Sequence, residues 1–300
     1  MNMVAYFHAS KFTHFSNTET TKTKDDAALS LLQKIKVILL GVNNPRPKNK
    51  IKPSHPFQIV KLKSNKEIEC WLINEGSSKG TVILFHGYNG EKSSLLDKAE
   101  IFLELGYNTM LVDFMGSGGS EGNQTTIGFY EAKEVKTAVD YLQNRGENNI
   151  ILFGTSMGAA AIMKAQSDYR LNVKSIIIEC PFGTMLETVQ ARFKTMSVPS
   201  FPMANLLVFW GGFQNGFNGF SHNPEEYAKQ ITCPTLLLYG RQDSKVSIEE
   251  VNKIYGNLQG RKALKIYQNA GHENYLNKYK REWTIDVRSF IDSTEKNTAE

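Results

Sequence analysis

The strongest constraint on the fold is a series of short, solidly apolar runs separated by helical stretches. From residue 81 onward the chain contains TVILFHG, YNTMLVD, NIILFG, SIIIEC, TLLLYG and ALKIY. Such runs, rich in Val, Ile and Leu, are typical of parallel strands buried on both faces. The stretches between them, such as IGFYEAKEVKTAVDYLQNRG, have the 3.6-residue period of amphipathic helices. The pattern predicts an α/β fold whose mostly parallel sheet is covered by helices on both faces.

Two further runs precede this series and alternate between apolar and polar residues. FQIVKLKS and EIECWLIN are joined by a short polar turn, which is the signal of an antiparallel hairpin. The hairpin raises the expected sheet to eight strands. Residues 57–300 are therefore predicted to form the main domain, and the 41% hydrophobic content of the chain is ordinary for a globular protein with a large core.

Residues 1–56 do not share this pattern. Residues 1–24 are polar, rich in Thr and Lys and without periodicity, so we expect a loose arm. Asp25 and Asp26 then precede AALSLLQKIKVILL, which ends at Gly41; an acidic start and a glycine end predict a helix that packs on the main domain. A helix lying on a membrane surface is the alternative. The proline-bearing residues 45–56 are predicted to be a linker.

A long interval interrupts the alternation of strands and helices. More than fifty residues lie between Cys180 and Cys233, where one crossover helix would be enough. Insertions of this length are usually lids or binding elements, so we expect residues 181–230 to form a cap above the carboxyl ends of the strands. Its aromatic residues, among them Phe182, Trp210 and Phe213, are expected to line an apolar acyl or aryl pocket, or else to form the core of the cap.

The pentapeptide GTSMG places Ser156 between Gly154 and Gly158, after a strand run and before a helical stretch. Gly-x-Ser-x-Gly in this context is typical of a nucleophile elbow, a sharp turn that presents the serine hydroxyl above the sheet. A serine that only caps the helix is the alternative.

A serine hydroxyl needs an adjacent base to become a nucleophile. His272, which follows the last strand run, is the predicted base. Asp243, in the loop after TLLLYG, is the predicted acid that orients the histidine. An Asx-turn is the alternative role for Asp243, and Glu179 is the reserve acid.

Two backbone amides are predicted to form an oxyanion hole. One belongs to Met157, the residue after the nucleophile, and the other to Tyr88 in the loop HGYNG. His86 is expected to support this loop by hydrogen bonding, and Asp113 is expected to fix the loop DFMGSGGS.

The segments HGYNG, DFMGSGGSEG, GTSMGA, YGRQDSKV and NAGHENY resemble, in order and spacing, the α/β-hydrolase superfamily. The resemblance is strongest to bacterial esterase-like and serine-aminopeptidase-like members with an inserted cap, and it covers about residues 57–295. The order Ser, acid, His along the chain is that of the superfamily. One departure is Met115, which stands where these proteins often have Arg and so puts the ion pair of that Arg in question.

We therefore expect a serine hydrolase that cleaves small-molecule carboxylic esters through an acyl-enzyme, without a cofactor. The alternatives are an aminopeptidase or amidase, a thioesterase or acyltransferase with the same triad, and a non-catalytic binding module. An aminopeptidase would need acidic residues for the amine of its substrate, and the region of the cap offers few besides Glu179 and Glu187.

Several other partners and sites are not expected. The net charge of +5 is spread along the chain without a recognition motif, which argues against nucleic acid. GSGGSEG lacks the third glycine of a dinucleotide loop, because Glu121 stands there, and no His-Glu-x-x-His metal motif occurs. Three cysteines are too few for a disulfide framework, and we expect structural thiols.

The sequence also bears on localisation. No apolar run is long enough to span a membrane, and the start of the chain does not have the pattern of a signal peptide. We expect a cytoplasmic protein, although a removed targeting segment would leave no trace. The oligomeric state is not predicted.

Overall fold

The computed structural model describes residues 1–17, 21, 23, 30–74 and 76–296. The strands of the described residues are β1 (Gln58–Lys63), β2 (Glu67–Ile73), β3 (Thr81–Phe85), β4 (Asn108–Val112), β5 (Ile150–Thr155), β6 (Ser175–Glu179), β7 (Thr235–Gly240) and β8 (Lys262–Tyr267). The helices are α1 (Asn2–Thr13), α2 (Leu31–Leu40), α3 (Leu96–Glu104), α4 (Glu131–Gln143), α5 (Met157–Tyr169), α6 (Met185–Met196), α7 (Met203–Gln214), α8 (Pro224–Tyr227), α9 (Ile248–Asn257) and α10 (Leu276–Lys296).

The eight strands form one sheet in the order β1-β2-β4-β3-β5-β6-β7-β8. β2 pairs antiparallel with both β1 and β4, and all other neighbours are parallel. The fold predicted from the sequence, a mostly parallel sheet entered by a hairpin, is confirmed. Its central strands β3, β5 and β6 are buried almost throughout, as expected of solid apolar runs.

Two hydrophobic layers cover the sheet. One layer joins β-strand side chains such as Ile83 and Phe85 to helices α4, α5 and α9. The other joins Val82 and Leu84, which point to the opposite face, to α3 and α10, where Trp283 is fully buried. Because neighbouring strand residues face opposite sides, one strand supplies apolar side chains to both layers.

The cap region follows β6. Helices α6, α7 and α8 lie between β6 and β7, within the interval for which the sequence predicts a cap. This segment, which we call the cap after the prediction, begins at the carboxyl end of β6, beside the carboxyl end of β5, where Ser156 stands.

The N-terminal segment differs from the prediction of a loose arm. Residues 2–13 form α1, which packs on α7 of the cap through the buried Ala5 and Ala9. The helix has no side-chain cap at its start, so local signals do not reveal it. Short helices are stable mainly through tertiary packing, and here the packing partner lies about 200 residues away in sequence.

The predicted second helix starts later than expected. α2 begins after Ser30, whose Oγ accepts from the amide of Gln33, while the Gln33 side chain accepts from the Ser30 amide. The described helix begins at this capping box. Asp25 and Asp26, at which we expect an acidic start, lie outside the described residues. The helix ends at Gly41, whose φ of 77° favours glycine.

In the described part of the chain, no helix is both long enough and apolar enough to cross a membrane.

Candidate active site

Ser156 stands at a tight junction between β5 and α5. Its φ of 52° is positive, which is uncommon for a residue with a side chain, and its amide donates to the Glu179 carbonyl at 2.8 Å. A Cβ atom at Gly158 would lie 2.3 Å from the Phe85 carbonyl oxygen, and one at Gly154 would lie 2.6 Å from the Gly158 carbonyl carbon. Both glycines are needed because the backbones of β3, β5 and α5 approach one another too closely for a side chain.

The structure brings Ser156, His272 and Asp243 together in one chain of hydrogen bonds. His272 Nε2 lies 3.1 Å from Ser156 Oγ, and His272 Nδ1 lies 2.7 Å from Asp243 Oδ2. The other carboxylate oxygen of Asp243 accepts from the amides of Lys245 and Val246, at 2.7 and 3.0 Å. These two bonds aim Oδ2 at the imidazole, so Nδ1 carries the proton and Nε2 is left to accept one from the serine.

The electrostatics of His272 depend on a third neighbour, Cys180. Burial of the ring opposes its protonation, but the Cys180 sulfur and the Asp243 carboxylate outweigh burial and raise the pKa of His272. Cys180 follows β6 directly, with a φ of 39°, and is buried on the cavity wall. The sequence predicts only a structural thiol at Cys180. The contact with His272 was not foreseen because the two residues lie far apart in the sequence.

Among the described residues, one group of three side chains has the composition of a possible metal site. The potential ligand atoms of Cys180, Asp243 and His272 lie within 4.8 Å of one another. Asp243 and His272 are already hydrogen-bonded to each other. A metal ion would have to break this bond, so we assign the group no metal role.

The reserve acid, Glu179, has a different set of partners. Its buried carboxylate accepts from Trp283 Nε1 at 2.6 Å and from Thr155 Oγ1 at 3.1 Å, and it lies 3.6 Å from Lys98 Nζ. The acid on His272 is thus Asp243, and Glu179 instead ties the elbow strand to α10 and α3.

The two residues predicted for the oxyanion hole, Tyr88 and Met157, both line the cavity that contains Ser156. Met157 is the first residue of α5, where a backbone N–H has no acceptor within the helix. The positive end of the helix dipole lies at the same place. Tyr88 lies in the loop after β3, and a Cβ atom at the preceding Gly87 would lie 3.7 Å from Ser156 Cβ.

His86 holds this loop, as its position suggested. Its Nδ1 lies 2.8 Å from the Gly87 carbonyl oxygen and its Nε2 lies 3.1 Å from the Phe114 amide nitrogen. One neutral tautomer, with the proton on Nδ1, satisfies both bonds. Burial lowers the pKa of His86 and so keeps it neutral.

Asp113 fixes the neighbouring loop through a buried ion pair. Its carboxylate accepts from Lys92 Nζ, and from the Lys92 amide at 2.7 Å and the Gly119 amide at 2.8 Å. Burial opposes its ionisation, but Lys92 outweighs burial and lowers the pKa of Asp113. Met115, the departure noted in the sequence, is buried, and the cation that pairs with Asp113 comes from Lys92.

A cavity of about 400 Å³ opens over Ser156 and His272. Its wall is mostly apolar and is built from both the cap and the N-terminal segment. The lining residues from α1, α6 and α7 are His8, Ala9, Phe12, Thr13, Met185, Thr188, Val189, Arg192, Phe193, Met196, Met203, Leu207, Val208, Gly211 and Gly212.

Of the three aromatic residues expected in this wall, only Phe182 lines the cavity. Phe213 is 67% exposed, and Trp210 packs against Tyr6 of α1 at a ring distance of 5.3 Å. The prediction for Trp210 and Phe213 is wrong because both residues lie on the side of α7 that faces away from the cavity. The side that faces the cavity carries Leu207, Val208, Gly211 and Gly212.

The N-terminal segment is the part of the site that sequence reasoning missed. Tyr88 Oη donates to the Phe12 carbonyl at 2.8 Å and accepts from Asn44 Nδ2, and the ring of Phe15 lies 6.2 Å from that of Tyr88. The segment therefore forms one wall of the cavity and anchors a predicted oxyanion residue. The aromatic residues of FHASKFTHF were the available signal, but they carry no information about a partner some 75 residues away.

The family of the chain follows from its sequence as well as from this geometry. The sequence model of the hydrolase family described as serine aminopeptidase, S33, matches residues 76–227, which is half of the chain. The chain belongs to this family. As an S33-family protein it is an α/β hydrolase, as the motifs in its sequence predicted.

Relatives of this S33-family protein include bacterial and animal proteins. The uncharacterized protein YqkD of Bacillus subtilis is 25% identical over 236 residues, which are 77% of each chain. The lysophosphatidylserine lipase ABHD12 of Macaca fascicularis is 24% identical over 62% of this chain, and the match spans about half (48%) of the length of that lipase. Among solved structures, the Pyrococcus furiosus esterase Pf2001 superposes with a TM-score of 0.69 at 24% identity, over 84% of this chain and 99% of that one.

Proposed function

We propose that this protein is a serine hydrolase that cleaves carboxylic esters with an apolar acyl or aryl group. The observation that carries the proposal is the hydrogen-bonded series Ser156–His272–Asp243, whose serine and histidine line an apolar cavity. An apolar cavity with a few convergent polar groups is the usual form of a small-molecule site.

The reaction follows from the placement of these groups. As Ser156 Oγ attacks the ester carbonyl carbon, His272 Nε2 takes the hydroxyl proton and Asp243 supports the resulting imidazolium. The negative charge on the carbonyl oxygen is met by the amides of Tyr88 and Met157. The C–O bond of the ester then breaks, and His272 returns its proton to the leaving alkoxide.

The second half of the reaction releases the acyl group. Water enters, gives a proton to His272 Nε2 and attacks the acyl-enzyme carbonyl carbon. The bond between this carbon and Ser156 Oγ then breaks as His272 returns the proton to Oγ, which regenerates Ser156 and frees the acid. Burial of the acyl chain against the apolar wall contributes binding energy of about 0.8 kcal/mol per methylene, so kcat/KM should rise up to about fourfold per added carbon until the cavity is full.

Aminopeptidase activity, which the family description names, has less support from the cavity. In the part of the chain that the structure describes, the cavity wall contains one carboxylate, that of Glu273. This group already pairs with Lys278 Nζ at 2.7 Å and accepts from the Gly271 amide at 3.1 Å. A free carboxylate for the ammonium group of a peptide is not among these lining residues, which favours an ester over a peptide.

The test is active-site labelling followed by substrate kinetics. A fluorophosphonate probe should label the wild-type protein and the matched control Ser293→Ala, whose serine lies on α10, but not Ser156→Ala. p-Nitrophenyl esters of increasing acyl length should then be hydrolysed faster than aminoacyl anilides. A folded wild-type protein that resists the probe would instead support a non-catalytic binding module, and faster anilide cleavage would support an aminopeptidase.

A further inference from the structure

Helices α1 and α7 carry five aromatic rings on the side that faces away from the cavity. We call this surface the aromatic face; it consists of Tyr6, Phe7, Phe209, Trp210 and Phe213. Tyr6 links the two helices, since its ring lies 5.5 Å from that of Phe7 and 5.3 Å from that of Trp210. Trp210 in turn lies 5.0 Å from Phe209 and 5.6 Å from Phe213. The five rings therefore form one continuous cluster.

Most of this cluster is open to solvent. Phe213 is 67% exposed, Phe7 58% and Phe209 48%, and the adjacent Met3 is also exposed. Scattered exposed apolar residues are normal, but a contiguous apolar patch usually marks an interaction site. Trp210 is half-buried and has a polar tip, because its Nε1 donates to Asn2 Oδ1 at 3.3 Å. Tyr and Trp, with apolar rings and polar tips, are typical of the boundary between lipid and water.

The two helices that carry the aromatic face, α1 and α7, and residues 188–196 of α6 have charged side chains of a single sign. The sequence contains no Asp or Glu in residues 1–18 or in residues 188–224, which include α1, α7 and most of α6. The same residues contain Lys11, Arg192 and Lys194. Lys11 is exposed one helical turn after Phe7, and Lys194 is exposed on α6, which packs on α7. Basic groups around an apolar surface complement the anionic headgroups of a lipid bilayer.

This charge pattern also decides between two occupants. A second copy of the chain would place the same cationic surface against itself, and like charges at an interface are unfavourable. An anionic lipid surface offers the opposite charge as well as an apolar layer for the rings.

We propose that the aromatic face docks this protein onto the surface of an anionic membrane, with α1 and α7 lying along the interface. The opposite sides of these two helices line the cavity, through Ala9 and Phe12 of α1 and Leu207 and Gly211 of α7. Docking thus places the cavity about one helix diameter, 10–12 Å, from the lipid. Membrane binding itself does not depend on catalysis, whereas the delivery of lipid esters to Ser156 rests on the proposed function.

The experiment measures binding to vesicles with the full chain carrying Ser156→Ala, so that hydrolysis plays no part. The protein is sedimented with vesicles of phosphatidylcholine alone or of phosphatidylcholine mixed with phosphatidylglycerol. We expect preferential binding to the mixed vesicles, weakened by salt. Adding Phe7→Ser and Phe213→Ser should lower the partition coefficient by at least about tenfold, since both rings are removed from the lipid.

Two further variants keep the result interpretable. Ile285→Ser removes a 52% exposed apolar side chain from α10 and should leave vesicle binding unchanged. Lys11→Gln together with Lys194→Gln should reduce the preference for anionic vesicles without removing a ring. Circular dichroism checks that each variant is folded.

The proposal is overturned if the protein does not bind mixed vesicles, or if the double phenylalanine variant binds as well as its parent. It is also overturned if the protein shows no vesicle binding and sedimentation velocity reveals a dimer that this variant abolishes, because the face would then belong to a second copy. Failure of fluorophosphonate labelling would count against the esterase mechanism and leave the vesicle result intact.

Discussion

The exchange Asp243→Asn tests the proposed mechanism most directly, because it replaces one carboxylate oxygen by an NH2 group and leaves the shape of the side chain intact. The Asn oxygen can still accept from the amides of Lys245 and Val246, which now hold Asp243 Oδ1 at 2.7 and 3.0 Å. Its amide nitrogen must then face His272 Nδ1, where the carboxylate oxygen accepts at 2.7 Å. A donor in this place forces the imidazole into the tautomer whose proton is on Nε2.

The expected loss follows from this reversal. With its proton on Nε2, His272 cannot take the proton of Ser156, and the carboxylate that would support the imidazolium is gone. The Asp243 side chain is fully buried, so water has no access to repair the contact. We expect kcat to fall by about 10³ to 10⁴, the loss caused by the wrong tautomer in a Ser-His-Asp triad, which is about 4–5.5 kcal/mol of transition-state stabilisation.

The assay is steady-state hydrolysis of a p-nitrophenyl ester at saturating and limiting substrate. KM should change little, because Asp243 is not among the residues that line the cavity. Asp140→Asn is the matched control, since it makes the same exchange on α4, where Asp140 pairs with Lys136. Thermal denaturation should show that both variants are folded. An Asp243→Asn enzyme within tenfold of wild-type kcat would refute the assigned tautomer.

Three further predictions concern pH, the elbow and the core. Cys180 and Asp243 raise the pKa of His272, so the inactive protonated ring should persist to higher pH and kcat/KM should fall with acid at a midpoint above 6.5. Cys180→Ala should lower that midpoint, and an unchanged pH profile of this variant would contradict the effect assigned to Cys180. Gly158→Ala should reduce kcat about a hundredfold in ester assays, because the alanine methyl group would lie 2.3 Å from the Phe85 carbonyl oxygen. Full activity of this variant would show that the backbone around Ser156 can relax. Lys92→Met should cost about 3–5 kcal/mol in urea unfolding, because it leaves the buried Asp113 carboxylate without its cation; a loss below about 1 kcal/mol would contradict the role of this ion pair.

The predicted residues that the structure brings together share a local cause. Gly154, Ser156 and Gly158 lie within one turn, so the sequence itself shows the strand, the helix and the crowding between them. Asp243 and His272 each follow a strand run, and parallel strands bring their carboxyl ends to one edge of the sheet. Periodicity and strand order were therefore enough to bring three distant side chains to one place.

The residues that were missed depend on contacts between distant segments. α1 has no cap and no clear period, and only its packing on α7 makes it a helix. The prediction that Trp210 and Phe213 line the cavity failed because the apolar residues of α7 leave its inner side ambiguous. The closeness of Cys180 to His272 likewise depends on how two loops meet above the sheet.

The sequence by itself determined the sheet, the hairpin that enters it and the positions of the predicted nucleophile, base and acid, because backbone periodicity and turn chemistry are local properties of the chain. The tertiary structure alone decided which side of the cap faces the cavity, which segment anchors Tyr88 and where the exposed aromatic rings gather. These features depend on the packing of elements up to about 200 residues apart. The hydrophobic effect is non-directional, so a local sequence does not specify which distant element will cover its apolar side chains.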